Sequence, residues 1–187
     1  MLALAGACRI GAIPADVAVV ISNEPDAPGL KSAAGRGIET LVIDHRTSAG
    51  RAEHDAKLSA ALKERKVDLV CLAGYLRLLS PAFIREFPNR IMNVHPALLP
   101  SFPGLNAQRQ AIEHGVRVSG VTVHFVDEGL DAGPIILQRV VMVQSGDTEE
   151  TLSARILQEE HRLYSEAVRL FFEGRLHTEG RRVNIKD

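Results

Sequence analysis

The sequence predicts an open α/β fold, a mostly parallel sheet with helices on both faces and antiparallel later strands. Three observations lead there. Short β-branched runs alternate with amphipathic stretches up to residue 114. The run Val67–Ala73 is apolar at nearly every position, as in a strand covered on both faces. Two longer strand patterns then follow one another with no helix between them, as an antiparallel pair does.

Met1–Cys8 reads as the tail of a helix. Asp16–Ser22 is a β-branched run bounded by Pro14 and the turn-rich Asn23–Pro28, hence a buried strand. Gly29–Arg36 is a short helix with Gly37 near its end, and Glu39–Ile43 is a second strand. Arg51–Lys66 is a helix carrying Ala56, Leu58, Ala61 and Leu62 on overlapping turns. Val67–Ala73 is the third strand. Ser80 followed by Pro81 opens a helix to Phe87, because serine accepts an orphan N–H and proline suits the first helical position. Arg90–Val94 is a fourth strand that delivers His95 at its carboxyl end. Asn106–His114 is helical and Gly115 stops it. Val118–Val126 and Pro134–Val143 are the long strands. Asp147–Glu173 is a closing helix capped by Thr148 or Asp147, with Glu149 and Glu150 where the helix dipole favours acids. Arg181-Arg182 reads as a solvated tail. An open α/β domain normally begins with a buried strand and a loop into its first helix. Here the chain starts inside that helix, so a strand and loop are expected to be missing in front.

With 187 residues the chain is expected to form one domain, residues 1–187, with a substantial core. A formal net charge of -1 argues against nucleic acid as a partner, which needs a basic face. No apolar run approaches the roughly 20 residues of a membrane span. The apolar opening MLALAGAC has no basic segment before it and is short for a signal peptide. Cys8 and Cys71 have neither metal nor redox spacing, so both are expected to be inert buried thiols in the cytoplasm.

The densest chemical constellation is Met92–Gly104. Asn93 and His95, two apart on a strand, point to the same side, at the strand end where open α/β sheets place ligands. An imidazole relays protons near neutral pH, and an amide N–H beside it can donate to a developing oxyanion. Spacing alone leaves open that the pair only satisfies the strand end and its Pro-rich loop. Asp131, in the acidic two-glycine loop Asp127–Pro134, could orient an imidazole as a triad carboxylate does. The same composition also suits a plain hairpin turn. His124 shares a side with Thr122, opposite Val121, Val123 and Phe125; it is either a second polar group at the site or a half-exposed strand residue. His45, His54, His114, His161 and His177 read as surface or element-end residues, with no metal-ligand spacing. Gly35-Arg-Gly37 reads as a turn rather than a phosphate loop.

Taken together, Asn93-x-His95-Pro96-x-Leu98-Leu99-Pro100, Phe102-Pro103-Gly104 and Leu130-Asp131-x-Gly133-Pro134-Ile135 resemble the glycinamide ribonucleotide formyltransferases, folate-dependent enzymes of purine synthesis. The resemblance extends to Ser22-Asn23, Leu72–Arg77 before Ser80-Pro81, and Gln158–His161. The N-x-H-P-x-L-L-P segment is shared with other formyl-folate hydrolases and transferases, so it speaks to the chemistry more than to the acceptor. Phe102–Leu105 and Glu160-His161 tilt towards the ribonucleotide enzymes. A transfer-RNA formyltransferase is expected to carry a further C-terminal domain.

The resemblance implies a Rossmann-like fold whose first strand and phosphate loop, about a dozen residues, are missing here. Either Met1 is an internal methionine or the chain is shortened, and the first is favoured because losing a buried strand exposes its neighbours' edges. It implies Asn93, His95 and Asp131 as the catalytic trio. Leu72, Leu76, Arg77, Leu78, Val126, Asp127, Glu128, Gly129 and Leu130 form the pocket for 10-formyltetrahydrofolate. Arg51, Pro96, Gly104, His124 and Glu160 serve the ribonucleotide, Arg51 on its phosphate and Glu160 on its ribose or glycinamide. The Leu99–Pro100 bond is expected to be cis. No metal is implied, and the protein is expected to be a monomer or homodimer. A formyltetrahydrofolate deformylase is the nearest alternative; a non-catalytic folate-binding module, suggested by the missing phosphate loop, is the other. Weak ribonucleotide binding is a further expectation for the chain as written.

Overall fold

The computed structural model describes residues 1–186. Its elements in order are α1 (Leu2–Arg9), β1 (Val20–Ser22), α2 (Pro28–Ala34), β2 (Thr40–Val42), a 3-10 turn (His45–Thr47), α3 (Arg51–Glu64), β3 (Val70–Cys71), α4 (Pro81–Glu86), β4 (Ile91–His95), α5 (Ala107–Glu113), β5 (Val118–Phe125), β6 (Ile135–Met142), α6 (Glu149–Phe172), β7 (Leu176–Glu179) and β8 (Arg182–Ile185). Local chemistry sets several ends. The Ser80 hydroxyl accepts the Phe83 N–H at 3.3 Å with Pro81 in the first turn of α4. Thr148 and Thr151 cap α6 reciprocally, side chain to backbone in both directions. Gly115, at φ 64, ends the segment after α5 in the left-handed region where glycine has no steric cost.

The strands form two sheets, a parallel pair β1–β2 and a six-stranded sheet in the order β3-β4-β5-β6-β8-β7. β3 runs parallel to β4, and β4–β5 and β5–β6 are antiparallel, as the absence of a helix between β5 and β6 requires. The predicted strands 16–22 and 67–73 contract to three and two paired residues. The reason is visible in the pairing: β1 bonds only to β2 and β3 only to β4, so each keeps a free edge and a ladder on one side alone. For the same reason Val67, Leu69, Val70, Cys71 and Leu72 are half-buried, not covered on both faces. The expected solvated tail is instead a hairpin. β7 and β8 pair across a turn at Gly180 (φ 58), and Arg182 reaches Ile135 of β6; Arg181 and Arg182 themselves stay exposed.

Two apolar cores cover the two faces. On one, Leu4 of α1, Ala111 of α5 and Leu152, Ile156, Leu163 and Val168 of α6 pack on Met92, Val121, Val123 and Phe125. On the other, Leu58 and Leu62 of α3, Phe83 of α4 and Phe87 just after it pack on Ile91. The apolar stripe expected for α3 holds except at Ala56, which is exposed. His54 corrects the surface reading: it is 1% exposed, donates from Nε2 to the Ile43 carbonyl at 3.0 Å, and lies 3.3 Å through Nδ1 from Asp55. Bonded on both nitrogens, a buried imidazole is affordable.

Candidate active site

Neighbouring residues of β4 are rooted in opposite cores, Ile91 in one and Met92 in the other. The strand is therefore held on both faces just before its functional end. β3 stops at Cys71, opposite Met92, so Asn93, Val94 and His95 run on with a neighbour only on the β5 side. There Asn93 faces His124 and His95 faces Thr122. His124 is thus no half-exposed strand residue: at 2% exposure it is the cross-strand partner of Asn93.

The hydrogen bonds fix the state of both imidazoles. His95 Nε2 lies 2.8 Å from the Phe102 carbonyl oxygen. A carbonyl only accepts, so Nε2 carries a hydrogen, and Nδ1 faces Asp131 at 3.4 Å from Oδ2. The same Oδ2 accepts the Gly104 N–H at 2.8 Å. His124 is turned the other way, donating from Nδ1 to the Phe125 carbonyl at 2.9 Å. Its Nε2 lies 3.4 Å from Asn93 Nδ2 and 3.7 Å from Asp131 Oδ1. Burial holds this imidazole below its ordinary range, partly offset by the Phe125 carbonyl and Asp131, so Nε2 is an acceptor at neutral pH. It therefore takes one N–H of the Asn93 amide and fixes which end of that amide is the donor. The second N–H remains for a ligand.

Loops bring the remaining groups in. Residues 96–104 cover the face of β5 that carries Thr122 and His124. They lie close because Gly120 has no side chain: a Cβ there would sit 2.7 Å from Leu98 Cδ2 and 2.2 Å from the Arg139 carbonyl oxygen. Thr122 donates to the Ala97 carbonyl at 2.7 Å and accepts the Leu99 N–H at 3.0 Å, while Gln138 donates to both Leu99 O and Thr122 Oγ1. The Leu99–Pro100 bond within this loop is cis. Across the cleft, Phe125 N–H bonds to the Pro134 carbonyl at 2.9 Å, and Gly133 passes so near Phe125 that a Cβ would lie 1.9 Å from its carbonyl oxygen. Pinched there, the loop presents Asp131 at φ 48, a left-handed conformation aspartate tolerates better than most residues. Asp131 lies against His95 and His124, and the Asn93 amide is tied to His124, so a carboxylate, an imidazole and an amide donor belong to one connected cluster. Such a set can polarise a carbonyl and pass a proton between nitrogens.

The formyl transferase family model matches residues 1–168. The chain belongs to this family. Relatives within it include phosphoribosylglycinamide formyltransferases and, at 30% identity and a TM-score of 0.91 over 100% of this chain and 61% of that one, a formyltetrahydrofolate deformylase from Pseudomonas syringae pv. tomato str. DC3000. The phosphoribosylglycinamide formyltransferase from Escherichia coli (strain K12) is 41% identical over 174 residues, which are 93% of this chain and 82% of that protein. The crystal structure of glycinamide ribonucleotide transformylase 1 from Symbiobacterium toebii superposes with a TM-score of 0.97 at 57% identity, covering 99% of this chain and 87% of that one. The trifunctional purine biosynthetic protein adenosine-3 of Drosophila melanogaster is 48% identical over 87% of this chain, but the match spans only 12% of that much longer protein.

Around this cluster, the other expected residues divide. Leu130 borders a cavity of about 210 Å³ together with Leu99, Pro103 and Asp131. Leu76, Leu78 and Leu130 are exposed at 78%, 58% and 56%, so three large apolar side chains face solvent in the two segments expected to meet the folate. Val126 instead packs into the α3–α4 core, Asp127 accepts the Gly129 N–H at 2.9 Å, and Glu128 pairs with Arg85. Leu72 and Arg77 are half-buried. Pro96 follows His95 directly, and Gly104 is engaged through its N–H on Asp131. Arg51 is the exposed first residue of α3, and no hydrogen bond or ion pair links it to the trio among the described residues. Glu160, half-buried on α6, has its carboxyl raised by burial, with the amine of Met1 pulling the other way. Sequence reasoning missed Phe102 O as a partner of His95, and it missed Thr122 and Gln138. Gln138, which with Arg139 interrupts the apolar run 135–142, was an available signal. Cys8 and Cys71 are both half-buried free thiols, and burial pushes the Cys71 thiol up to about 12, so it is inert as a nucleophile at neutral pH. No group of three His, Cys, Asp or Glu residues could hold a metal ion among the described residues. No helix among them is long and apolar enough to cross a membrane.

Proposed function

We propose that residues 1–187 form one formyltransferase domain that moves the formyl group of 10-formyltetrahydrofolate to the amine of glycinamide ribonucleotide, in purine (IMP) biosynthesis. The observation that carries this reading is the approach of Asp131 to His95 Nδ1 at 3.4 Å, beside an Asn93 amide whose donor end His124 fixes. The amine is already a nucleophile, so no covalent enzyme intermediate is needed. It attacks the formyl carbon, a carbon–nitrogen bond forms, and the carbonyl oxygen gains negative charge. Asn93 and protonated His95 stabilise that oxyanion, each such donor contributing about 10²–10³ in rate. Asp131 takes the proton that the amine sheds and returns it, directly or through water, to N10 as the bond from carbon to N10 breaks.

In this reading the pterin lies against Leu72, Arg77 and the exposed Leu76, Leu78 and Leu130, with the 126–130 backbone at its edge. Arg51 and Glu160 serve the ribonucleotide with Pro96, Gly104 and His124 nearby. The chemistry calls for no metal, nucleic acid or membrane. Two isolated thiols suit the cytoplasm, and a monomer or homodimer suffices because the trio comes from one chain.

The test follows the fate of the formyl group, with glycinamide ribonucleotide present and absent. Transfer predicts folate product only with the ribonucleotide, and formylated ribonucleotide in equal amount. Formate released at the same rate without the acceptor would instead identify a hydrolase, and folate binding with no turnover would identify a binding module.

A further inference from the structure

β3 and β4 begin a regular parallel ladder: Val70 N–H bonds to Arg90 O at 2.8 Å and Leu72 N–H to Met92 O at 2.9 Å. Then β3 ends while β4 continues to His95. The place where they part is occupied by a side chain from the opposite layer. Tyr164 of α6, 5% exposed, brings its hydroxyl to 3.0 Å from the Leu72 carbonyl and 2.9 Å from the Met92 carbonyl. The hydroxyl has one hydrogen and two acceptors at near-equal distance, so it bridges the carbonyl just past β3 and that of Met92 within β4.

We propose that Tyr164 is a positioning residue for the transfer reaction. Its hydroxyl ends the β3–β4 pairing one residue before Asn93 and so sets the segment 72–79 at a fixed distance from the Asn93–His95 strand end. Three features of the molecule carry this. The two bridged carbonyls belong to Leu72, which opens the segment bearing Leu76, Arg77 and Leu78, and to Met92, which precedes Asn93. The far end of that segment is tied independently: the Ser80 N–H donates to Asp55 Oδ2 at 2.6 Å, and Asp55 is 2% exposed. Between the two anchors Tyr75 and Leu79 pack on the α3–α4 core, while Ala73, Gly74, Leu76 and Leu78 are exposed, so half of the span has no packing of its own. The ring of Tyr164 is embedded with Met92, Leu163 and Val168, and it stays packed whether or not the oxygen is present. A hydroxyl spent on packing alone has no reason to meet these two carbonyls, whereas buried tyrosine oxygens do need partners.

This inference rests on the transfer reading for its kinetic arm only. Tyr164→Phe keeps the ring and removes the bridge. The first measurement is amide hydrogen exchange without substrates: in the variant, residues 72–79 exchange faster by about tenfold or more, while β5 and α6 are unchanged. The second is steady-state kinetics: KM for the formyl donor rises by about tenfold, kcat falls a few-fold and KM for the ribonucleotide stays put. Unchanged exchange in 72–79 overturns the proposal, and so does acceleration spread evenly over the chain, which marks a purely structural hydroxyl. Equal rises in both KM values overturn it as well. If the wild-type protein transfers no formyl group, the functional reading fails by itself, and the exchange comparison still decides the role of Tyr164.

Discussion

At the scale of single residues, the site depends on which nitrogen of each imidazole holds a hydrogen. His124 is committed by the Phe125 carbonyl and kept neutral by burial. Its folded pKa lies below the ordinary 6.5, so the unfolded chain takes up the proton first as pH falls. Native stability therefore drops as pH goes below about 6.5 until the folded group titrates too. In His124→Gln that loss disappears, and the fall in Tm between pH 7 and pH 5 becomes shallower than in the wild type. The same variant frees the Asn93 amide to turn, and turnover falls by about tenfold or more. Glu160 has the opposite sign. Burial raises its carboxyl, so the group favours folding at low pH and disfavours it once pH passes the raised value. Glu160→Gln raises Tm at pH 7, the gain vanishes near pH 4, and isothermal calorimetry shows weaker ribonucleotide binding.

At the scale of elements, what placed the site is the meeting of β4 with the loops 96–104 and 126–134. Gly133 shows how tightly the second is held. Gly133→Ala puts a Cβ against a backbone oxygen that cannot swing aside, so the loop shifts and takes Asp131 with it. Thermal unfolding detects a loss of about 1–3 kcal/mol, and turnover falls with it. A variant of unchanged Tm and turnover would remove this loop from the account. Much of this level was legible in the sequence. Ser80-Pro81 and Thr148 name their helix starts, and Asn93 and His95 lie two apart at a strand end because residue patterns carry that information directly. The lengths of β1 and β3 were not, since apolar runs signal extension while pairing needs a neighbouring edge, which composition does not contain. The β7–β8 hairpin escaped notice because its short, largely exposed strands carry no strong periodic signal.

At the scale of the whole molecule, two cores pin β4 from opposite faces, and its last residue, His95, lies between Phe102 of one loop and Asp131 of the other. Asn93, His95 and Asp131 could be named in advance as candidates, and so could His124 and Gly104, but not which atoms each would meet. Phe102 and Gly104 act through backbone atoms that carry no side-chain identity, and the hydroxyl of Tyr164 is anonymous until the fold shows which carbonyls it meets. The central claim is that an amide, an imidazole and a carboxylate act on one formyl carbon. The most direct measurement is steady-state formyl transfer to glycinamide ribonucleotide by His95→Ala and Asn93→Ala, each checked for a wild-type Tm. The account predicts a fall in kcat of about 10² or more in each; turnover within a few-fold of the wild type in either would contradict it.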